Sequence, residues 1–302
     1  MVNGTSPVQR KSDQAIMTVH HLDIDSKPRK SVPPRVVTRH RQDLGQLGSL
    51  VTRLAITPDE VEQAQRLRYD VFVDEMGAYP TPDNLRQRRD HDTYDEVCDH
   101  LLVIDEEAND RIVGTYRLLP GRKRGPHGFY TATEFDLDRL LVANPGSNWL
   151  ELGRSCIHSD YRSKRTMELL WQGTWAYAVA EGTDIMFGCA SFPGTDPTAH
   201  ADAFAWLSHH AALSDEEACC GITQDTIALD MTPSDADPRR TLAAMPPLLK
   251  GYLRLGAKVA RHAVIDRQFG TTDVLVVLKV ADINPRYIAH YGADATRFTA
   301  AE

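Results

Sequence analysis

Trp149-Leu150-Glu151-Leu152-Gly153-Arg154-Ser155-Cys156-Ile157-His158 reads as an apolar strand with a carboxylate and a guanidinium set inside it. The segment after this strand decides the fold. Ser159 to Arg165 is a polar, basic connection, Thr166 to Ala180 reads as a long helix stopped by Gly182, and Ile185-Met186-Phe187-Gly188-Cys189 has the character of a buried strand. Strand, helix, strand is a crossover unit and predicts local parallel pairing. A second strand with the same peculiarity lies upstream, Gly114-Thr115-Tyr116-Arg117-Leu118-Leu119-Pro120-Gly121. A buried charge is costly unless it is paired or hydrogen-bonded. Arg117, Glu151 and Arg154 therefore imply an internal network of opposite charges, with further acids available in Asp90-His91-Asp92-Thr93-Tyr94-Asp95.

Outward from that core the pattern stays mixed. Leu54-Ala55-Ile56 reads as a short strand. Thr57 as N-cap, Pro58 at the first helical position and Glu60 closing a capping box then start a helix. Val61, Ala64, Leu67 and Val71 mark its buried side. The helix ends by Gly77, and Pro80 and Pro82 open a loop that carries the aspartates. His100 to Ile104 and Ile112 to Leu119, joined by a polar turn, predict an antiparallel hairpin. Phe135 to Leu141 and Thr198 to Leu213 read as helices, Thr226 to Met231 as a short strand, and Pro233 to Pro238 as a loop. Leu248 to Leu255 reads as a helix ended by Gly256, and Val259 to Ile265 and Val274 to Val280 as closing strands. The expected class is α/β with a mixed sheet and helices on both faces. Residues 1–48, polar and Pro-punctuated, are expected to be a flexible leader, 49–292 the folded domain and 293–302 a tail.

The bulk numbers exclude several classes. The 302 residues, 42% hydrophobic and 25% charged, can bury a substantial core. No apolar run approaches the ~20 residues of a spanning helix, and Lys11, Asp13, Lys27, Arg29 and Lys30 break up any signal-peptide core. Cys98, Cys156, Cys189, Cys219 and Cys220 show no paired spacing, so free thiols in a reducing cytoplasm are expected. A formal net charge of −8 argues against nucleic acid as the partner. Three local basic patches remain, Arg86-Arg88-Arg89, Arg122-Lys123-Arg124 and Arg162-Lys164-Arg165, and together they make an anionic partner worth considering.

The motifs also come in a telling order. Arg68-Tyr69-Asp70-Val71-Phe72, Asp90-x-Asp92-x-Tyr94-Asp95, His100-Leu101-Leu102-Val103, Gly114-x-x-Arg117-Leu118-Leu119-Pro120 and Leu150-Glu151-Leu152-x-Arg154 follow one another. From Arg66 to Tyr161 this succession resembles the acyl-homoserine-lactone autoinducer synthases of the GNAT superfamily. The flanks look like something else. Val71-Phe72-x-x-Glu75-Met76-Gly77-Ala78, Leu152-Gly153-Arg154-Ser155-Cys156-Ile157, the run Pro246 to Ala257 and Asp266-x-x-Phe269-x-Thr271-Thr272-Asp273-Val274 resemble the L-ornithine N-acyltransferases. That resemblance runs from about Leu47 to Tyr291. It implies a GNAT-like fold with a C-terminal extension, and transfer of a 3-hydroxy fatty acyl group from acyl carrier protein to the α-amine of ornithine, giving lyso-ornithine lipid.

The resemblance also implies roles. Glu151, Arg154 and Arg117 form the catalytic group, with Glu151 either a base for the attacking amine or a brace paired with the arginines; both readings stay open here. Arg68 or Arg154 is expected to clamp the acceptor's carboxylate, and Asp92 and Asp95 to hold its distal ammonium or fix Arg68; Asp90, on the same substrate-binding side, stands where the autoinducer synthases carry a glutamate and has a shorter reach. Ser155, Cys156 and Ile157 belong to the strand that receives the donor's phosphopantetheine arm. Arg162-Ser163-Lys164-Arg165-Thr166-Met167 lacks the glycines that let backbone approach the diphosphate of coenzyme A. Acyl carrier protein, acidic and with a single phosphate, fits Arg162, Lys164 and Arg165 better. No metal or resident cofactor is expected.

Alternatives remain in the sequence: the same chemistry with glutamine or another amino acid, an autoinducer synthase, or a GNAT-shaped binding module. His100 and His158 read as satisfied strand residues and His209-His210 as no metal site. Leu248 to Leu255, with Lys250 and Arg254, is a candidate for peripheral contact with the cytoplasmic membrane face, but packing against the sheet is its expected use.

Overall fold

In this computed structural model residues 43–230 and 237–283 are described. Among them the frame is a nine-stranded sheet of β1 (Asp43–Leu47), β2 (Leu50–Leu54), β3 (Asp99–Asp105), β4 (Arg111–Pro120), β5 (Trp149–Ile157), β6 (Ile185–Pro193), β7 (Thr226–Ala228), β8 (Lys258–Asp266) and β9 (Thr271–Lys279). The spatial order is β1-β2-β3-β4-β5-β6-β9-β8-β7. Neighbours run antiparallel except β5 and β6, the pair joined by the crossover helix α4 (Lys164–Ala180). The other helices are α1 (Pro58–Tyr69), α2 (Pro82–Gln87), α3 (Asp138–Ala143), α5 (Ala201–His210), α6 (Pro238–Ala244) and α7 (Pro247–Leu255).

Alternation along the strands sorts the core into two faces. Leu101 and Val103 of β3 and Val274, Val276 and Leu278 of β9 pack with α4, α5 and α7 on the first face. On the second, Leu102 and Ile104 pack with Ala64, Leu67 and Val71 at one end of the sheet. Phe187, Leu275 and Val277 pack with Phe129, Phe135 and Leu140 at the other end. Between those two apolar clusters the second face is charged. That gap is where the site lies.

α1 begins as its residues require. Thr57 Oγ1 accepts from the Glu60 N–H at 3.2 Å, and Glu60 Oε2 accepts from the Thr57 N–H at 3.3 Å. Its last turn runs into a π-helical turn, Asp70–Glu75, that carries Val71, Phe72 and Glu75 toward the site; such insertions often mark functional regions.

β5 and β6 are paired only at Trp149↔Ile185, Leu150↔Met186 and Glu151↔Phe187. The next residue on β6 is Gly188, where a Cβ would stand 2.1 Å from the Leu152 carbonyl oxygen. Only glycine permits that approach. Beyond it the strands part, and β5 departs further through a bulge. Between the pairs Arg117↔Gly153 and Thr115↔Cys156 it holds one more residue than β4, and Arg154 takes φ 54°. The result is a fork in the sheet.

The core unit, the β3–β4 hairpin, α1, α7 with Gly256 at φ 102°, and the β8–β9 closure follow the sequence reading. Several elements depart from it. Asp43–Leu47, inside the stretch read as leader, is β1, and the strand expected at Leu54 to Ile56 is β2, four residues earlier at Leu50–Leu54. α2 replaces part of a loop, because Thr81 caps a helix with Pro82 first. Phe135 belongs to a bridge with Gly221 instead of a helix, and α3 starts later, at Asp138. α5 spans only Ala201–His210 of the helix expected over Thr198 to Leu213. α4 begins at Lys164, with Ser163 as its cap, so the basic connection is shorter than expected. Residues 1–42 of the leader, Met231 at the end of the expected strand, 233–236 of the expected loop, 284–292 of the expected domain and the 293–302 tail lie outside the described residues. Among the described residues no helix is long and apolar enough to cross a membrane.

Candidate active site

The fork opens into a cavity of about 530 Å³, the size of a pocket that encloses most of a small ligand. β5 lines it from Glu151 to Ile157, and Cys189, Ala190 and Ser191 line it from β6. Because the β5–β6 ladder stops at Glu151, the β6-side backbone groups of β5 beyond it have no ladder partner. A strand edge of this kind can hold an extended amide-bearing chain. The three thiols that face it are inert: burial pushes Cys98 and Cys156 up to about 12 and Cys189 well above the ordinary thiol value.

One wall is a closed network of opposite charges. Arg68 is 0% exposed and spends its guanidinium on two aspartates. Nε donates to Asp90 Oδ2 at 2.9 Å, while Nη1 and Nη2 donate to the two oxygens of Asp95, each at 2.9 Å. Nη2 also reaches the Asp90 carbonyl. Arg117 Nη1 donates to Asp92 Oδ1 at 2.7 Å and lies 3.6 Å from Asp95 Oδ1. Burial works to raise the Asp95 carboxyl, but Arg68 and Arg117 overcome it and hold the group well below the usual carboxylate range. Arg154 joins the network more loosely. Its Nε lies 3.3 Å from Asp90 Oδ2 without a hydrogen bond, and Nη2 donates to the Tyr130 hydroxyl at 3.3 Å. The guanidinium is held between the rings of Tyr130 and Phe269, 4.8 and 4.5 Å from their centroids. Arg117 also lines the cavity, over the rings of Tyr94 and Tyr130, but its Nη1 is bound to Asp92, whereas Arg154 keeps its buried Nε without a hydrogen-bond partner.

Glu151 does something else. Its Oε2 accepts from the Tyr130 N–H at 2.8 Å and its Oε1 from the Thr131 N–H at 2.5 Å. Both oxygens thus hold the start of the turn Tyr130–Thr133, whose end is fixed by the Phe135↔Gly221 bridge and by the Ile222 N–H donating to the Glu134 carbonyl. Burial raises the Glu151 pKa, and the hydrogen bonds from this turn pull against it without cancelling it. Through the turn Glu151 positions Tyr130 against Arg154 and presents Glu134 to the cavity.

Glu134 belongs to the opposite wall. It is buried, lines the cavity, and accepts from Cys189 Sγ at 3.5 Å. With Asp266 and Asp273 it brings carboxylate oxygens within 4.8 Å of one another. Burial and the neighbouring Asp273 and Asp266 push Glu134 up to about 8. Burial, with a smaller push from Asp266, takes Asp273 up to about 6 against the pull of the nearby Ser191 and Thr271 hydroxyls. Three carboxyls this close do not all ionise at neutral pH. A cation, whether an ammonium or a metal, is what such a wall would take.

Comparison with known proteins agrees with this geometry. A family model described as an acetyltransferase (GNAT) domain matches residues 67–172. The L-ornithine N(alpha)-acyltransferase of Rhizobium meliloti (strain 1021) is 49% identical over 264 residues, 85% of this chain and 88% of that protein. That of Agrobacterium fabrum is 47% identical over 88% of this chain and 94% of its own length. The chain belongs to the L-ornithine N(alpha)-acyltransferase family. It is an N-acyltransferase with a GNAT-like fold. Among solved structures, the N-acyl amino acid synthase FeeM from uncultured soil microbes is 12% identical with a TM-score of 0.44, covering 77% of this chain and 91% of that one, a likeness too distant to bear on single residues.

The structure brings most of the residues singled out in the sequence of this family member together, though in changed roles. Glu151, Arg154, Arg117, Ser155, Cys156, Ile157 and Arg162 line the cavity. Arg68, Asp90, Asp92 and Asp95 lie behind it: of the two uses expected of the aspartates, Asp95 makes the one of fixing Arg68, joined by Asp90, while Asp92 pairs with Arg117, so the acceptor clamp expected of Arg68 is filled from within. Arg162 stands at the rim, paired with Glu75 and bonded to the Ile157 carbonyl at 3.0 Å. Lys164 and Arg165 face outward on the first turn of α4. Arg122 and Lys123 are taken up by Glu181 and Asp99. α7 spends Leu249, Tyr252 and Leu255 on the core. The residues missed were Glu134, Asp266 and Asp273. For Asp273 the signal was present: an aspartate inside Thr271-Thr272-Asp273-Val274-Leu275 is as misplaced as Glu151 is in β5.

Proposed function

We propose that this cavity transfers an acyl group, a 3-hydroxy fatty acyl chain, from the phosphopantetheine thioester of acyl carrier protein to the α-amine of L-ornithine, giving lyso-ornithine lipid. The observation that carries the reading is the fork itself, with a guanidinium on one side and carboxyls on the other. The free β6-side edge of β5 would take the amide-bearing pantetheine arm and aim the thioester carbonyl into the cavity. Arg154, stacked between Tyr130 and Phe269, would hold the acceptor's carboxylate. The amine nitrogen then attacks the carbonyl carbon, the C–N bond forms, the C–S bond breaks, and pantetheine leaves as the thiolate. The proton lost by the amine goes to Glu134, whose pKa of about 8 suits a base near neutral pH, and Glu134 then returns that proton to the departing thiolate. Glu151 acts through the turn it holds.

Two features support acyl carrier protein as the donor. The N-terminus of α4 offers no glycine for a close-bound diphosphate, and the Lys164 side chain is 89% exposed there beside Arg165. The test is labelled 3-hydroxyacyl carrier protein incubated with single amino acids, followed by lipid chromatography and mass analysis. Ornithine acylated on its α-nitrogen is the expected product, with the corresponding acyl-CoA a poor donor. Acylation of no amino acid would end the reading, and acylation of glutamine alone would replace the acceptor.

A further inference from the structure

Two buried oxygens on the far wall of the cavity lack a well-formed hydrogen bond. Asp273 Oδ1 and Thr271 Oγ1 make none of good geometry, although their residues are only 6% and 3% exposed and both line the cavity; the Ser191 and Thr271 hydroxyls stand near enough to lower the Asp273 pKa but leave Oδ1 without a bonded donor. Beside them Asp266 commits Oδ1 to the β8–β9 turn, accepting from the Gln268 and Phe269 N–H groups at 2.7 and 2.9 Å, which leaves its other oxygen. Among the described residues no lysine or arginine stands within ion-pair distance of Asp266, Asp273 or Glu134. Desolvated acceptors without a donor are costly to keep. A ligand that supplies the donors removes that cost.

We infer that Asp266 and Asp273, with the Thr271 hydroxyl, form the subsite that receives the distal ammonium of a diamino-acid acceptor and so set which amino acid is acylated. The inference rests on the reading of the cavity as an amino-acid acyltransferase site. The sheet order supports it: from β5, which would carry the thioester, Cys189 lies on β6, Asp273 on β9 and Asp266 at the end of β8. Strands are spaced about 4.8 Å apart, so this wall stands on the side of the acceptor away from the reacting carbon. Arg154, Glu134 and the two aspartates then read the three charged groups of one small molecule in turn. An alkyl side chain would leave the aspartates unpaired, and a side-chain amide would set its own carbonyl oxygen against them.

The test compares L-ornithine with L-norvaline, which has the same carbon skeleton without the distal amine. Wild-type protein is expected to favour ornithine in kcat/KM by about a hundredfold or more. Asp273→Asn and Asp266→Asn are expected to bring that ratio down by at least tenfold, chiefly through KM for ornithine, with unchanged unfolding temperatures. Equal use of ornithine and norvaline by wild type overturns the inference while leaving the acyltransferase reading standing. So does a loss in both variants that is the same for the two acceptors. Loss of turnover on chelation by EDTA, restored by Mg²⁺, would instead make the carboxyls a metal seat. If neither acceptor is acylated by wild type, it is the proposed function that fails.

Discussion

The second face of the sheet buries two groups of charge a short distance apart, and they are built on opposite rules. In the Arg68 group two aspartates are bonded to Arg68 and Asp92 is bonded to Arg117, with Asp95 capping Asp92's own backbone N–H at 3.0 Å. In the Glu134 group three carboxyls meet with no basic partner in bonding range among the described residues. The first arrangement leaves little capacity for a ligand and pulls a carboxyl pKa down. The second is short of donors and pushes carboxyl pKa values up. A compensated network holds shape, whereas an uncompensated one waits for charge to arrive. Arg154 stands between them, half in the network and half in the cavity.

If that division is right, Arg154 carries the largest kinetic effect. Arg154→Ala is expected to lower kcat/KM by about a thousandfold, in line with losing a buried charge partner, and Arg154→Lys to recover little of it, because an ammonium does not reproduce the flat stacked fork. Steady-state kinetics within threefold of wild type would remove Arg154 from the site. The network side breaks differently. Arg68→Ala leaves Asp90 and Asp95 buried without a partner and is expected to cost about 3–5 kcal/mol of stability, read by denaturant titration. A loss below about 1 kcal/mol would mean the network is not a brace.

The opposite sign is expected on the other wall. Glu134 binds its proton up to about pH 8 in the folded protein, against an ordinary value of 4.5. Between those pH values the folded state holds a proton that the unfolded chain has lost, so stability falls as pH rises through that window. Glu134→Gln should therefore raise the unfolding free energy at pH 8 by about 1–3 kcal/mol and change it little at pH 4, while activity drops. A variant less stable at pH 8 would contradict the assignment. The smallest effect belongs to the surface. Lys164→Glu with Arg165→Glu should raise the KM for acyl carrier protein about five- to tenfold with the unfolding temperature unchanged, and an unchanged KM would move the docking face elsewhere.

Much of this was legible in the chain, and the reasons differ by element. β5, α4 and β6 could be read because apolar periodicity and Gly182 bound them sharply. The cap of α1 could be read because Thr57, Pro58 and Glu60 make local bonds. α2 and α6 could not, since they are six and seven residues long, start with proline and have no room for a periodic face. The charges within strands announced a buried network. They did not say which charge met which, because Glu151 finds its donors in Tyr130 and Thr131, on a turn without periodicity. The same rule that singled out Glu151 applied to Asp273, and a parallel reading of β9 would have found it. Glu134 had no such marker. Only the turn that Glu151 holds brings it to the fork.

The central claim is that Glu134 takes the proton and Glu151 holds the turn. The pH dependence of kcat/KM for the full chain, measured for wild type, Glu134→Gln and Glu151→Gln, tests it most directly. The acceptor's own amine titrates in all three, so the difference between the curves is the readout. Wild type and Glu151→Gln are expected to share an ionisation near pH 8 that Glu134→Gln lacks, with Glu151→Gln losing stability. A profile kept in Glu134→Gln and abolished in Glu151→Gln would return Glu151 to the role of base and contradict the claim.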